Sequence, residues 1–191
     1  PVAAYQNRLV WLITLLAFCS GWCTGIYTSF FGLYMEEQGV SLSTSGLLFM
    51  LLGPLGIVSG IFWGSVSDRM GRREGFFLSF VAIGMGCLLF WTAPVMAGFI
   101  GSVVVFGLSF RASYIICAAS AGDYVEPHFS TAAFGLMGMG AGLGNALGPL
   151  LGGRVADATE VRWVFTLATG VAFFAVFASR FLRRPEAAGG S

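Results

Sequence analysis

The chain has 191 residues, 57% of them hydrophobic and 10% charged, with a mean hydropathy of +0.83 and a formal net charge of +1. A water-soluble domain carries about a quarter charged residues, so this composition excludes one, and so few cations leave no footprint for nucleic acid. All ten cations are Arg, and their placement matters more than their sum.

A bilayer core takes about 20 apolar residues per helix. Charge-poor stretches separated by charged or turn-rich breaks give six spans in a single transmembrane domain over 1–191. Residues 1–7 open on Pro1 rather than Met and show no signal-peptide pattern, so the chain reads as a piece of a longer product or a processed one. The first span covers about 9–34 and stops at Glu36 and Glu37. It carries Ser20, Thr24, Tyr27 and Thr28 at helical spacing, a polar stripe that suits either a cavity lining or hydrogen bonds between helices. The second span covers about 44–66, with Pro54 inside it, and leads into a loop with Asp68, Arg69, Gly71, Arg72 and Arg73.

From Glu74 to Arg111 there is no charge, too long a stretch for one crossing, and Thr92-Ala93-Pro94 divides it into spans of about 75–91 and 95–121. Arg111 is the one ionisable residue well inside an apolar span, a costly position that normally faces a bundle interior or a wet cavity. Gly107, Arg111, Tyr114 and Ala118 fall on one helix face, so an anion could approach Arg111 with Tyr114 as a hydrogen-bonding neighbour. Pairing of Arg111 with helix carbonyls, or with an acid from another segment, is the structural reading of the same residue. A polar loop follows with Asp123, Glu126 and His128, the last a solvated histidine rather than a pH sensor. Spans five and six cover about 131–153 and 163–179.

An even number of spans puts both termini on one side. Arg8, Arg69, Arg72, Arg73, Arg180, Arg183 and Arg184 fall there, against Arg154 and Arg162 opposite, so both termini are expected on the cytoplasmic face of a cell inner membrane. The four cysteines lie in apolar runs and act as small hydrophobes. Cys19 and Cys23 share a helix face but lack further ligands, so neither metal nor cofactor is expected.

Spans two and five match each other. Gly53-Pro54 precedes Gly64-x-x-x-Asp68 in one, and Gly148-Pro149 precedes Gly153-x-x-x-Asp157 in the other. The two Asp residues fall on opposite sides, as an inverted three-helix repeat requires, although two Gly-rich helices can also match by chance. Gly56, Gly60 and Gly64, and Gly140, Gly144, Gly148 and Gly152, make flat faces that mark close helix contacts, with or without sliding across them. Pro54 and Pro149 each remove a backbone hydrogen bond and are expected to kink their helices.

The loop Gly64-Ser65-Val66-Ser67-Asp68-Arg69-Met70-Gly71-Arg72-Arg73 resembles the Gly-x-x-x-Asp-Arg-x-Gly-Arg-Arg signature of major facilitator transporters, and matches it at every fixed position. Gly144-x-x-x-Gly148-Pro149-x-x-Gly152-Gly153 is similar to the Gly-Pro motif in the fifth helix of a half. The resemblance implies an all-α membrane protein of two inverted three-helix repeats, one six-helix half of a secondary transporter. Its partners would be the bilayer, a small-molecule substrate, and a complementary half or a second copy. It also implies that Asp68 and Arg69 latch the two halves on the cytoplasmic side while Gly71 permits the turn. The polar ending 183–187 suits a carboxy-terminal half, whereas the span-five motif is best known from the amino-terminal half of drug antiporters. A transporter-derived assembly subunit is the alternative function. A membrane enzyme is not expected, because no His, Cys and carboxylate cluster forms. No titratable acid or His lies within the spans, so any proton coupling would belong to another segment.

Overall fold

The computed structural model describes residues 8–124 and 127–182. The expectations for residues 1–7, Glu126 and residues 183–187 lie outside the described residues. The described residues form eight α-helices and a 3-10 turn, with no strand among them. They are α1 (Arg8–Glu37), α2 (Leu42–Met50), α3 (Leu52–Met70), α4 (Arg72–Thr92), α5 (Met96–Gly107), α6 (Ala112–Tyr124), α7 (Ser130–Ala158) and α8 (Val161–Ser179). Pro127–Phe129 form the 3-10 turn before α7.

These helices make six stretches long and apolar enough to cross a membrane, with α2 and α3 forming the second and α5 and α6 the fourth. In lipid every backbone N–H and C=O must be satisfied within the protein, which is why such apolar runs are helical. Most helices outlast the apolar runs that announce them: α7 continues through Arg154 and Asp157 to Ala158, and α1 through Glu36 to Glu37. Charge marks where a helix leaves the hydrocarbon, whereas a change of backbone direction marks where it ends. Gly71 supplies such a change between α3 and α4, at φ 93° and ψ 157°, a left-handed region that a side chain would strain.

Two spans are broken. In span two the break falls at Leu51, three residues before Pro54, the side on which a proline removes a helix hydrogen bond. In span four residues 108–111 form a turn rather than helix. Gly107 therefore ends one helix and Arg111 leads into the next, which holds Tyr114 and Ala118. α7 runs without a break in the helix through Pro149. Its ring lies against Gly25 of α1, where a Cβ would stand 2.9 Å from the Pro149 Cδ.

The packing is symmetric under exchange of the two halves of the chain. Span one packs on span five as span four packs on span two; span three packs on span six; span one meets span six as span four meets span three. Asp68 and Asp157 end α3 and α7 at opposite ends of the bundle. This is the organisation of an inverted repeat. Span one is the most buried, and spans two and five are the least.

The seam between α1 and α7 brings backbone against backbone. A Cβ on Gly140 would lie 2.8 Å from the Thr14 carbonyl oxygen, and one on Gly148 2.8 Å from that of Trp22. Gly144 sits closer still to the Phe18 carbonyl, and Gly21 of α1 to the Ala141 carbonyl. Gly152 makes room for the Val164 and Phe30 side chains. The seam between spans two and four is different: Gly56 and Gly60 face the Phe110, Arg111 and Ile115 side chains, and a Cβ on Gly64 would meet nothing.

Candidate functional site

Spans one, two, four and five together enclose a cavity of about 690 Å³. Ser20 and Thr24 reach it from α1, Gly56 and Gly60 from α3, Phe110, Arg111 and Tyr114 from span four, and Asn145 from α7. Arg111, Tyr114 and Asn145 are exposed, so the cavity opens to the outside of the bundle rather than being sealed within it.

The turn at residues 108–111 places Arg111 there. The Ala112 N–H donates to Ser109 rather than to Leu108, so the Leu108 carbonyl loses its helical partner. The Trp63 indole N–H, from α3, takes that carbonyl at 2.6 Å. Span two thus fixes the turn on which Arg111 stands. The guanidinium lies 5.6 Å from the centroid of the Phe110 ring, and among the described residues Arg111 forms no ion pair. A planar cation with its edge donors uncommitted, beside an aromatic face, suits an anionic group carried on an apolar body.

The stripe on α1 divides. Ser20 lines the cavity and shares a hydrogen bond with Ser113 of α6, and Thr24 lines it as well. Thr28 bonds back to the Thr24 carbonyl at 2.8 Å and is not among the lining residues. Tyr27 lies outside the cavity and is fully buried. Its ring stacks on Phe106 at 3.7 Å between centroids, and its hydroxyl meets the Ser102 hydroxyl at 2.8 Å, which in turn donates to the Gly86 carbonyl. Tyr27 shares a face with Ser20 but lies two turns farther along, where α5 closes over α1. Its polarity serves the contact between helices.

At the Asp68 end, Arg72 joins two loops. Its Nη1 donates to Asp68 at 2.7 Å and to Ser67 at 2.8 Å, and its Nε donates to Asp123 at 2.6 Å. The partner of Asp68 within this chain is therefore Arg72, four residues on, and the end of span two is tied to the end of span four. The Asp68 side chain remains 67% exposed, and Arg69 is exposed beside it.

With six apolar spans in inverted pairs, a glycine-turned basic loop and an open cavity between spans, the comparison with known sequences is decisive. The family signature described as Major Facilitator Superfamily matches residues 13–191. The chain belongs to that superfamily. It is an integral membrane protein. Among superfamily relatives, the multidrug resistance protein MdtG of Yersinia enterocolitica is 30% identical over 179 residues, covering 91% of this chain and 43% of the relative. MdtG of Klebsiella pneumoniae is 30% identical over 191 residues, covering 96% and 45%. The chain thus spans less than half the length of the curated relatives it matches. A crystal structure of the peptide transporter POT with sulfate superposes with a TM-score of 0.80 at 21% identity, over 90% of this chain and 37% of that one. That of the human organic anion transporter MFSD10 gives 0.78 at 17%, over 94% and 49%. These two likenesses show the superfamily fold.

Two residues of the site escape a reading of the sequence. Asn145 is a single amide in a Gly-rich span, and its distance of one turn from Ala141, opposite Gly21, is visible only once α1 and α7 are packed. Trp63 reads as an interfacial aromatic, and its acceptor lies 45 residues away.

Proposed function

We propose that the chain is one half of a secondary transporter that carries a small organic anion, by alternating access, along a pathway lined by the cavity between spans one, two, four and five. Arg111 carries this reading: a cation at membrane depth, without an ion-pair partner among the described residues, stands in an open cavity with Tyr114, Ser20, Thr24 and Asn145. Arg111 binds the anionic group, Tyr114 and Asn145 supply hydrogen bonds, and Phe110 takes the apolar part. The least buried spans, two and five, border the cavity and face the complementary half, or a second copy, which completes the pathway. The relationship to MdtG, a protein named for multidrug resistance, supports transport of an organic solute. Both termini and the Asp68 loop lie in the cytoplasm on this reading, following the arginine distribution. Asp68 and Arg69 present the charges that latch the second half, with Arg72 orienting Asp68.

The test is uptake into proteoliposomes by the full-length protein, comparing aromatic carboxylates and sulfonates with neutral and cationic molecules of the same skeleton. Loss of a charge-assisted contact costs about 1.5–3 kcal/mol, so Arg111→Ala is expected to weaken anion binding by roughly 10- to 100-fold. Arg111→Ala protein that binds and carries the anions as the parent does would overturn the assignment.

A further inference from the structure

The corner where span three begins and span six ends carries two guanidinium groups that the transport pathway does not use. Gly84 of α4 lies against Ala172 and Phe173 of α8, and seven residues toward the Asp68 end the Arg180 guanidinium lies 3.9 Å from the centroid of the Phe77 ring. Arg73 stands one turn before Phe77 on the same face of α4. Its Nε is buried without a hydrogen-bond partner among the described residues, although a guanidinium offers five donors and buried donors are normally matched.

Among the described residues the acids at this end do not satisfy them. Asp68 and Asp123 are both engaged by Arg72, and among the described residues neither Arg73 nor Arg180 forms an ion pair. Glu74 follows Arg73 directly, about 100° around the helix. Beside Arg180 the surface turns apolar: Phe177 and Phe181, each 63% exposed, pack edge to face at 5.3 Å between ring centroids. Stacking on Phe77 covers one face of the Arg180 guanidinium and leaves its edge donors free, the edge that engages a phosphate in paired hydrogen bonds.

We propose that Arg73, one turn before Phe77 on α4, and Arg180, stacked on Phe77, bind the phosphate of an anionic phospholipid in the leaflet at the Asp68 end, with its acyl chains against Phe177 and Phe181. A free phosphate would satisfy the arginines equally but would have no use for two exposed phenylalanines at a membrane surface, and this favours the lipid. The site lies on the spans three and six side of the bundle, away from the cavity, and does not depend on what the cavity carries.

The experiment is native mass spectrometry of the full-length protein released from detergent with dioleoyl phosphatidylglycerol, with dioleoyl phosphatidylcholine and inorganic phosphate as parallel arms. Phosphatidylglycerol is expected to stay bound to the parent and to Arg69→Gln, whose side chain is exposed at the same end of the bundle. The pair Arg73→Gln and Arg180→Gln should lower retention by roughly tenfold. Should that pair fail to purify as a single species, Arg180→Gln alone carries the test, with a several-fold loss expected. Equal losses in Arg69→Gln would reduce the effect to diffuse charge, and displacement of the lipid by millimolar phosphate would make this a small-anion site. Either result overturns the lipid assignment.

Discussion

Replacing Gly144 with Ala adds one methyl group where two helix backbones touch, and the structure fixes the sign of the result. The new Cβ would stand 2.8 Å from the Trp22 backbone nitrogen and 2.9 Å from the Phe18 carbonyl carbon, with the Phe18 oxygen nearer still. Ordinary contact begins at 3.4 Å, so α1 and α7 must part by at least 0.6 Å at this level (3.4 minus 2.8) and by more at the oxygen. A radial gap of about 0.5–1 Å already forfeits a quarter to a half of the dispersion well, and Gly140 and Gly148 on the same seam would feel it. In lipid, packing is the main force joining helices, so the loss is not made up by expelling water. Overpacking of this kind costs about 1–3 kcal/mol, against about 1 kcal/mol gained from the better helix propensity of Ala. Gly135→Ala, on the same helix but with open space at its Cβ, should show the gain alone. In thermal unfolding of purified protein Gly144→Ala should therefore melt below the parent and Gly135→Ala at or above it. The scale for a chain of this size is about 2–4 °C per kcal/mol. Gly144→Ala melting with or above Gly135→Ala would refute the account of the seam.

Three further outcomes follow from the site. Trp63→Phe keeps the aromatic bulk but leaves the Leu108 carbonyl unpartnered, a cost of about 1–3 kcal/mol; lower thermal stability with weaker anion binding is expected, and unchanged binding would separate the turn from the placement of Arg111. Tyr27→Phe removes one hydroxyl from the buried chain to Ser102 and should cost about 1 kcal/mol in stability while leaving substrate affinity alone, measured by unfolding and by ligand binding side by side. Asp68→Asn loses an ion pair that is largely solvent-exposed, so stability should change by less than about 1 kcal/mol. Its transport rate in proteoliposomes should fall all the same, and a full rate would remove Asp68 from the latch.

The six spans, the inverted repeat and the basic loop were legible because each depends on composition or on local pattern. Apolar length predicts helices in lipid whatever their neighbours, and Gly64-x-x-x-Asp68-Arg69-x-Gly71 is a local turn with a local chemistry. The break in span four was not legible. Residues 108–111 contain neither Pro nor Gly, and their turn is held by Trp63 from another span, a partner that no window along the sequence contains. The two prolines part company: span two breaks at Leu51, three residues before Pro54, whereas α7 runs unbroken through Pro149, which packs opposite Gly25. The polar stripe on span one was half readable. Periodicity aligned Ser20 with Tyr27, but whether a neighbour covers a position depends on where α5 ends.

Pseudo-equivalent seams are not mechanically equivalent here. Between α1 and α7 main chain rests directly on main chain, a contact with no side chain to yield between the two helices. Their counterparts, spans two and four, meet instead through the rotatable side chains of Phe110, Arg111 and Ile115 and are tied at Trp63, so a displacement of span two would reach the turn carrying Arg111 first.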